Sequence, residues 1–275
     1  FSCPNIDGTR GRGGCTYCSY AFARQTPQDL LTQFEEGKAM LHKKWPAQKY
    51  IPYFQANTNT YAPLAELKEK YEILLSQPGV VGLSIATRAD ALPEDVLDYL
   101  EELSHRTYLV VELGLQSAKD ETAKRINRGH SYAEFLQGYE ALQRRGILTC
   151  VHIINGLPGE TREDMLETVR KLAALKPHCI KIHLLHIIRG TKMAEEYARG
   201  EFQAMTLMDY AETVCDQLEL LPPETVVQRV TGDGLKDSLI APLWSLKKFV
   251  VMNEIDKEME RRGSWQGKKW REATC

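Results

Sequence analysis

No uninterrupted apolar run in the 275-residue chain comes near the roughly 18 residues that a membrane-crossing helix needs, and no signal peptide is evident. No membrane partner is expected. Neither sign of charge is in clear excess: 35 Lys and Arg face 37 Asp and Glu, a formal net charge of −2, so the chain as a whole is not a general polyanion binder. A low-complexity linker and an internal repeat are also missing, and 43% hydrophobic residues are enough for one large core. Cysteine is sparse and unevenly spread. Four of the seven, Cys150, Cys179, Cys215 and Cys275, are scattered without CxxC spacing, which argues against a secreted disulfide framework and against a second metal cluster. A reducing, cytoplasmic setting fits best.

The other three cysteines fall within the first eighteen residues, FSCPNIDGTRGRGGCTYC, as Cys3, Cys15 and Cys18. The last two have the spacing at which neighbouring thiolates reach one metal centre. Gly8, Gly11, Gly13 and Gly14 let the intervening loop turn back and aim backbone N–H groups at an anionic group. Three thiolates are one short of a structural zinc site and of an ordinary electron-transfer iron–sulfur cluster. A 4Fe–4S cube held at three corners keeps one iron open. The spacing alone also admits zinc with a distant fourth ligand such as His42, Cys150 or Cys179, and a thioredoxin-like dithiol that gives Cys3 no task.

Further along, Thr26-Pro27 reads as a helix start, with Leu30, Phe34 and Leu41 on one face. Strands are expected over 49–55, interrupted by Pro52, and over 80–86, 108–115, 148–154 and 179–188. Helices between them open at Pro63, at Pro93, at the capping box of Ser131 and Glu134, and at Thr161. A helix over 207–221, a short strand over 225–230 and a long helix from about residue 243 follow. This alternation predicts a parallel sheet with right-handed crossovers, a main domain over 1–221 and a C-terminal extension over 222–275. Each main strand ends in polar residues: Gln55 and Asn57, Thr87 to Asp90, Gln116 and Ser117, Asn155, and His186 with Arg189. Loops are often simply polar, but five such ends on the rim that carries the cysteines favour a site, because barrels build their sites there. Residues 247–275 carry eight Lys and Arg against five Asp and Glu, with Trp265 and Trp270 interleaved. That stretch is either a grip for phosphates and bases or a solvated amphipathic helix with its tail.

CPNIDGTRGRGGCTYC, followed by IATRAD, ELGLQS, INRGH, GLPGE and KIHLLH, resembles the radical SAM superfamily over nearly the whole chain. More narrowly it is similar to the YhcC/YtqA group, relatives of the Elongator catalytic subunit. The cluster spacing is Cx11CxxC where the superfamily usually has CxxxCxxC. The resemblance implies an α/β fold, a partial (β/α)6 barrel with a C-terminal helical extension, whose first strand would lie ahead of Phe1. It also implies a 4Fe–4S cluster on Cys3, Cys15 and Cys18, and S-adenosylmethionine bound at the open iron and cleaved to a 5′-deoxyadenosyl radical. Position by position, Tyr17 would lie beside the adenine. Gln55, Asn57 and Thr58 stand where the family often has Gly-Gly-Glu for the methionine amino group. Arg128 would pair with the S-adenosylmethionine carboxylate, and His152, Asn155 and Gly156 would serve the adenine side. Glu112 and Gln116 share one strand face pointing into the barrel, where Glu112 needs ribose hydroxyls, the methionine ammonium or Arg128 as a partner. His186, at a strand end, is the substrate-side candidate in preference to His183. Arg229 and Asp233, in QRVTGD, resemble a substrate-side stretch of the Elongator relative.

The same kinship implies a reducing partner such as flavodoxin or ferredoxin, and tRNA as substrate. The chemistry would fall on the C5 side chain of the wobble uridine, for example conversion of carboxymethylaminomethyl to aminomethyl. The competing readings are a radical SAM enzyme acting on a small metabolite or peptide, and a non-catalytic zinc-binding module.

Overall fold

The computed structural model describes residues 1–19, 29–46, 48–232, 234 and 236–271. The expected helix start at Thr26-Pro27 and the candidate Asp233 lie outside the described residues. Five strands come first: β1 (Tyr53–Phe54), β2 (Gly82–Thr87), β3 (Tyr108–Gln116), β4 (Leu148–Asn155) and β5 (Cys179–Leu184). After them, β6 (Ile187–Ile188) and β8 (Leu239–Ala241) form a separate antiparallel pair, while β7 (Val226–Arg229) joins the main sheet. The main sheet runs β1-β2-β3-β4-β5-β7 with every neighbouring pair parallel. Parallel strands covered on both faces need continuous apolar runs, and β3 is buried from Leu109 to Leu115 without a break.

The covering helices are α1 (Leu30–His42), α2 (Leu64–Leu75), α3 (Glu94–Arg106), α4 (Asp120–Arg125), α5 (Tyr132–Arg144), α6 (Arg162–Leu175), α7 (Lys192–Ala198), α8 (Leu207–Leu220) and α9 (Lys248–Arg261). Capping boxes fix the starts of α5, at Ser131 with Glu134, and of α6, at Thr161 with Asp164. Helix α3 buries Val96, Leu97, Tyr99, Leu100 and Leu103, the spacing of one helical face. Helices α4 and α7 were not expected from the sequence.

The sixth strand of the sheet departs from expectation. It is β7, from beyond residue 222, and it pairs with β5. Its half-exposed residues and a register shift opposite Lys181 hid this role in the sequence. The strand expected over 49–55 shrinks to two residues with an isolated bridge from Tyr50 to Val80, because Pro52 has no N–H to give the ladder. The strand expected over 179–188 stops at Leu184.

Candidate active site at the barrel rim

The loop over residues 1–19 folds back on the chain between α4 and α5. Asn5, fully buried, donates to the Asn127 carbonyl at 2.5 Å and lies 3.6 Å from Cys15 Sγ. Asn127 in turn donates to the carbonyls of Gly14 (2.7 Å) and Arg12 (3.1 Å). Thr16 receives its backbone bond from Met193 at the start of α7 and gives its own to Ile126. These ties hold the cysteines over the C-terminal ends of the strands. There a cavity of about 380 Å³ is lined by Cys3, Cys15 and Cys18 together with Tyr17, Gln55, Asn57, Thr58, Glu112, Gln116, Arg128, His152 and Arg229.

Next to the thiols, Arg128 Nη1 stands 3.8 Å from Cys15 Sγ and Nη2 donates to the Gly114 carbonyl at 2.5 Å. A hydrogen bond from Cys18 and the Arg128 charge hold the Cys15 thiol well below its ordinary range, while the bond with Cys15 and burial push Cys18 up. Arg88 donates to the Arg128 carbonyl at 2.7 Å and is itself gripped at two points by Asp90, each at 2.8 Å. Two buried polar atoms on residues lining the cavity have no protein partner: Thr58 Oγ1 and Arg128 Nε.

Two residues before Gly114, the Glu112 carboxylate collects four donors: Tyr53 Oη at 2.9 Å and Ser84 Oγ, His152 Nε2 and Lys181 Nζ at 2.5 Å each. Burial opposes its ionisation, but the bonds from His152, Lys181 and Ser84 prevail and hold the carboxyl down to about 2. Burial also pushes His152 below its usual value despite its bond to Glu112. Lys181 is the ion-pair partner of Glu112.

The family model described as Radical SAM superfamily matches residues 6–172, and that described as Radical_SAM C-terminal domain matches residues 177–261. The chain belongs to the radical SAM superfamily. It is 52% identical over 272 residues to the protein YtqA of Bacillus subtilis (strain 168), covering 98% of this chain and 84% of that one. The tRNA uridine(34) acetyltransferase of Methanocaldococcus infernus is 27% identical over 66% of this chain and 34% of its own length. A solved Methanocaldococcus infernus Elp3, lacking residues 1–46, superposes with a TM-score of 0.75 at 20% identity, over 90% of this chain and 62% of that one. It shares the fold.

As a radical SAM enzyme the protein uses a 4Fe–4S cluster and S-adenosylmethionine, and the cavity fits both. Three thiols and a guanidinium converge on it, and Thr58 Oγ1 and Arg128 Nε are buried there without a protein partner. Three side chains can hold one metal ion only when their ligand atoms lie within about 4.8 Å of one another. Glu112, Cys150 and His152 do meet that closeness, but Lys181 already neutralises the carboxylate.

Several expectations need correction. Glu112 pairs with Lys181 and His152, not with Arg128. Asn155 is three residues from His152 and so on the opposite face of β4; its amide is used up in a reciprocal pair with Gln217, both bonds 2.8 Å. Gly156 shapes the turn at φ +85°, packed by Met205, and it does not line the cavity. His186 is also outside the cavity lining, its ring set against Gly232 and Gly234. His183 lines the cavity instead.

Sequence reasoning missed Lys181, Tyr53, Ser84 and Asn5. For Lys181 a signal existed, since a lysine inside CIKIHL shares the face of His183. The basic, aromatic tail is mostly self-satisfied: Lys269 pairs with Glu219, Arg262 with Asp216 and Glu258, and Arg261 with Glu258. Trp270 carries the Lys176 ammonium and Trp265 that of Lys268. This favours a packed cap over an open RNA grip.

Proposed function

We propose that Cys3, Cys15 and Cys18 hold the cluster, that the cavity beside them takes S-adenosylmethionine, and that the enzyme modifies the C5 side chain of wobble uridine in tRNA. The observation carrying the first part is the convergence of the three thiols with Arg128 on one cavity that also holds two unbonded buried polar atoms. When bound, the cofactors supply a 5′-deoxyadenosyl radical able to take hydrogen from an unactivated carbon. The chain's own part is to hold and orient. Arg128 offers a guanidinium to the methionine carboxylate, Gln55, Asn57 and Thr58 offer oxygens to its ammonium, and Tyr17 offers a ring to the adenine. Glu112, already bonded by four donors, fixes Lys181 and His152 in place. Arg229 lines the same cavity, and a guanidinium suits a substrate bearing a carboxylate, such as 5-carboxymethylaminomethyluridine on its way to aminomethyluridine.

The tRNA part is supported by the relatives' names, among them an enzyme of tRNA uridine 34. A splayed anticodon base is of a size to enter an open barrel. The test is anaerobic reconstitution followed by addition of tRNA carrying the carboxymethylaminomethyl group. 5′-Deoxyadenosine should form in step with aminomethyluridine, and tRNA binding should weaken steeply with salt. Release of 5′-deoxyadenosine that ignores tRNA but responds to a small metabolite or peptide would transfer the reading to that substrate class.

A further inference from the structure

The wall that carries Cys15 and Cys18 has an outer side. A second cavity, of about 920 Å³, lies against it, lined by those two cysteines and by Arg12, Lys124, Arg125, Arg189 and Lys192. All five cations are exposed, and the described residues lining the cavity include no carboxylate. Arg125 is paired with Glu196 at 2.9 Å; Arg12, Lys124, Arg189 and Lys192 form no ion pair among the described residues. Three separate segments deliver these charges: the cysteine loop, the end of α4, and the turn into α7. In a chain of net charge −2, this is a local excess placed beside two of the thiols.

We propose that this basic basin is the docking surface for an acidic, small one-electron carrier protein of the flavodoxin or ferredoxin type. The proposal rests on the cluster assignment above. Each encounter passes one electron inward across the Cys15–Cys18 wall; the carrier is oxidised by one electron, the centre behind the wall is reduced by one, and no proton or group moves. Weak redox encounters use small, charge-steered interfaces, and the exposed cations supply that steering without a deep apolar contact. RNA is the less favoured occupant. The described residues lining the basin include no aromatic ring on which a base could stack, whereas Tyr17, Tyr53 and His152 line the cavity where the chemistry occurs.

The test is the charge-reversed holoenzyme Arg189→Glu/Lys192→Glu. Three quantities are compared with wild type: affinity for a purified acidic ferredoxin at low and high salt, rate of cluster reduction by that ferredoxin and by dithionite, and affinity for tRNA. Carrier affinity should fall about tenfold or more and lose most of its salt dependence, with dithionite reduction and tRNA affinity unchanged. Unchanged carrier affinity, or a loss confined to tRNA, overturns the proposal. The neutralising pair Arg189→Gln/Lys192→Gln repeats the comparison with a smaller effect should the reversed pair not fold. A wild-type protein that takes up no cluster sinks the cluster assignment instead, and its carrier affinity still reports on this surface.

Discussion

A carboxylate only 2% exposed, as Glu112 is, is tolerable because cation and donors come with it. Removing one partner of such a pair typically costs about 3–5 kcal/mol, and removing both costs far less. Lys181→Met should therefore destabilise the fold by several kcal/mol in denaturant titration, and Glu112→Gln/Lys181→Met should recover most of that loss. An additive double variant would show that the two do not act as a pair. The pH dependence follows from the same bonds. The folded carboxyl titrates at about 2 against an ordinary 4.5, so its contribution is complete above pH 4.5 and is lost as pH falls toward 2, roughly 3 kcal/mol in all. Glu112→Gln should flatten the stability profile over that window. At the thiols, Cys15→Ala should leave the circular dichroism spectrum intact while iron content and 5′-deoxyadenosine formation collapse. Turnover surviving that change would refute the assignment of the cluster to this loop. The three cysteines and Glu112 stood out by type and spacing, and Tyr17 and Arg128 only through the family resemblance, but the partner of Glu112 could be read from neither. That partner comes from β5, and only the sheet register sets Lys181 beside it.

At the scale of elements, local signals proved readable and pairings did not. Ser131 with Glu134 and Thr161 announced α5 and α6, because a cap is a contact within one turn. The error at Asn155 was one of parity: a polar residue at a strand end reads as a rim residue, yet its side of the sheet depends on where the pleat stops. The role of β7 was hidden for a similar reason, as four half-exposed residues have no signature of belonging to a buried sheet until β5 lies beside them. Gly138 shows what a helix contributes to the site from outside. It lies inside α5, where glycine costs about 1 kcal/mol relative to alanine, and a Cβ there would be driven into the Ala89 carbonyl. Ala89 separates Arg88 from Asp90, the pair that props up the Arg128 backbone. Gly138→Ala should therefore lower stability by about 1–3 kcal/mol instead of raising it. The effect should appear as a lower Tm together with weaker binding of S-adenosylmethionine, whereas a change confined to helix propensity would raise Tm and leave binding alone.

For the molecule as a whole, the question is whether residues beyond 221 are an appendage. The sequence places a boundary there, and the family models divide the chain earlier, between 172 and 177. The packing speaks for continuity. Val251 and Ile255 of α9 are buried in the same core as Tyr210, Val214 and Cys215 of α8, Tyr210 donates to the Val230 carbonyl at 2.9 Å, and β7 brings Arg229 to the cavity that holds the cysteines. A chain cut after residue 221 would expose that apolar face of α8 and leave β5 with a bare parallel edge, a ready template for association. We expect the 1–221 fragment to elute as aggregate, to bind the dye ANS, and to recover a monomeric state only when residues 222–271 are supplied in the same chain. A monomeric 1–221 fragment with a cooperative thermal transition would show that the extension is an independent unit, and that the barrel closes its site without the strand that carries Arg229.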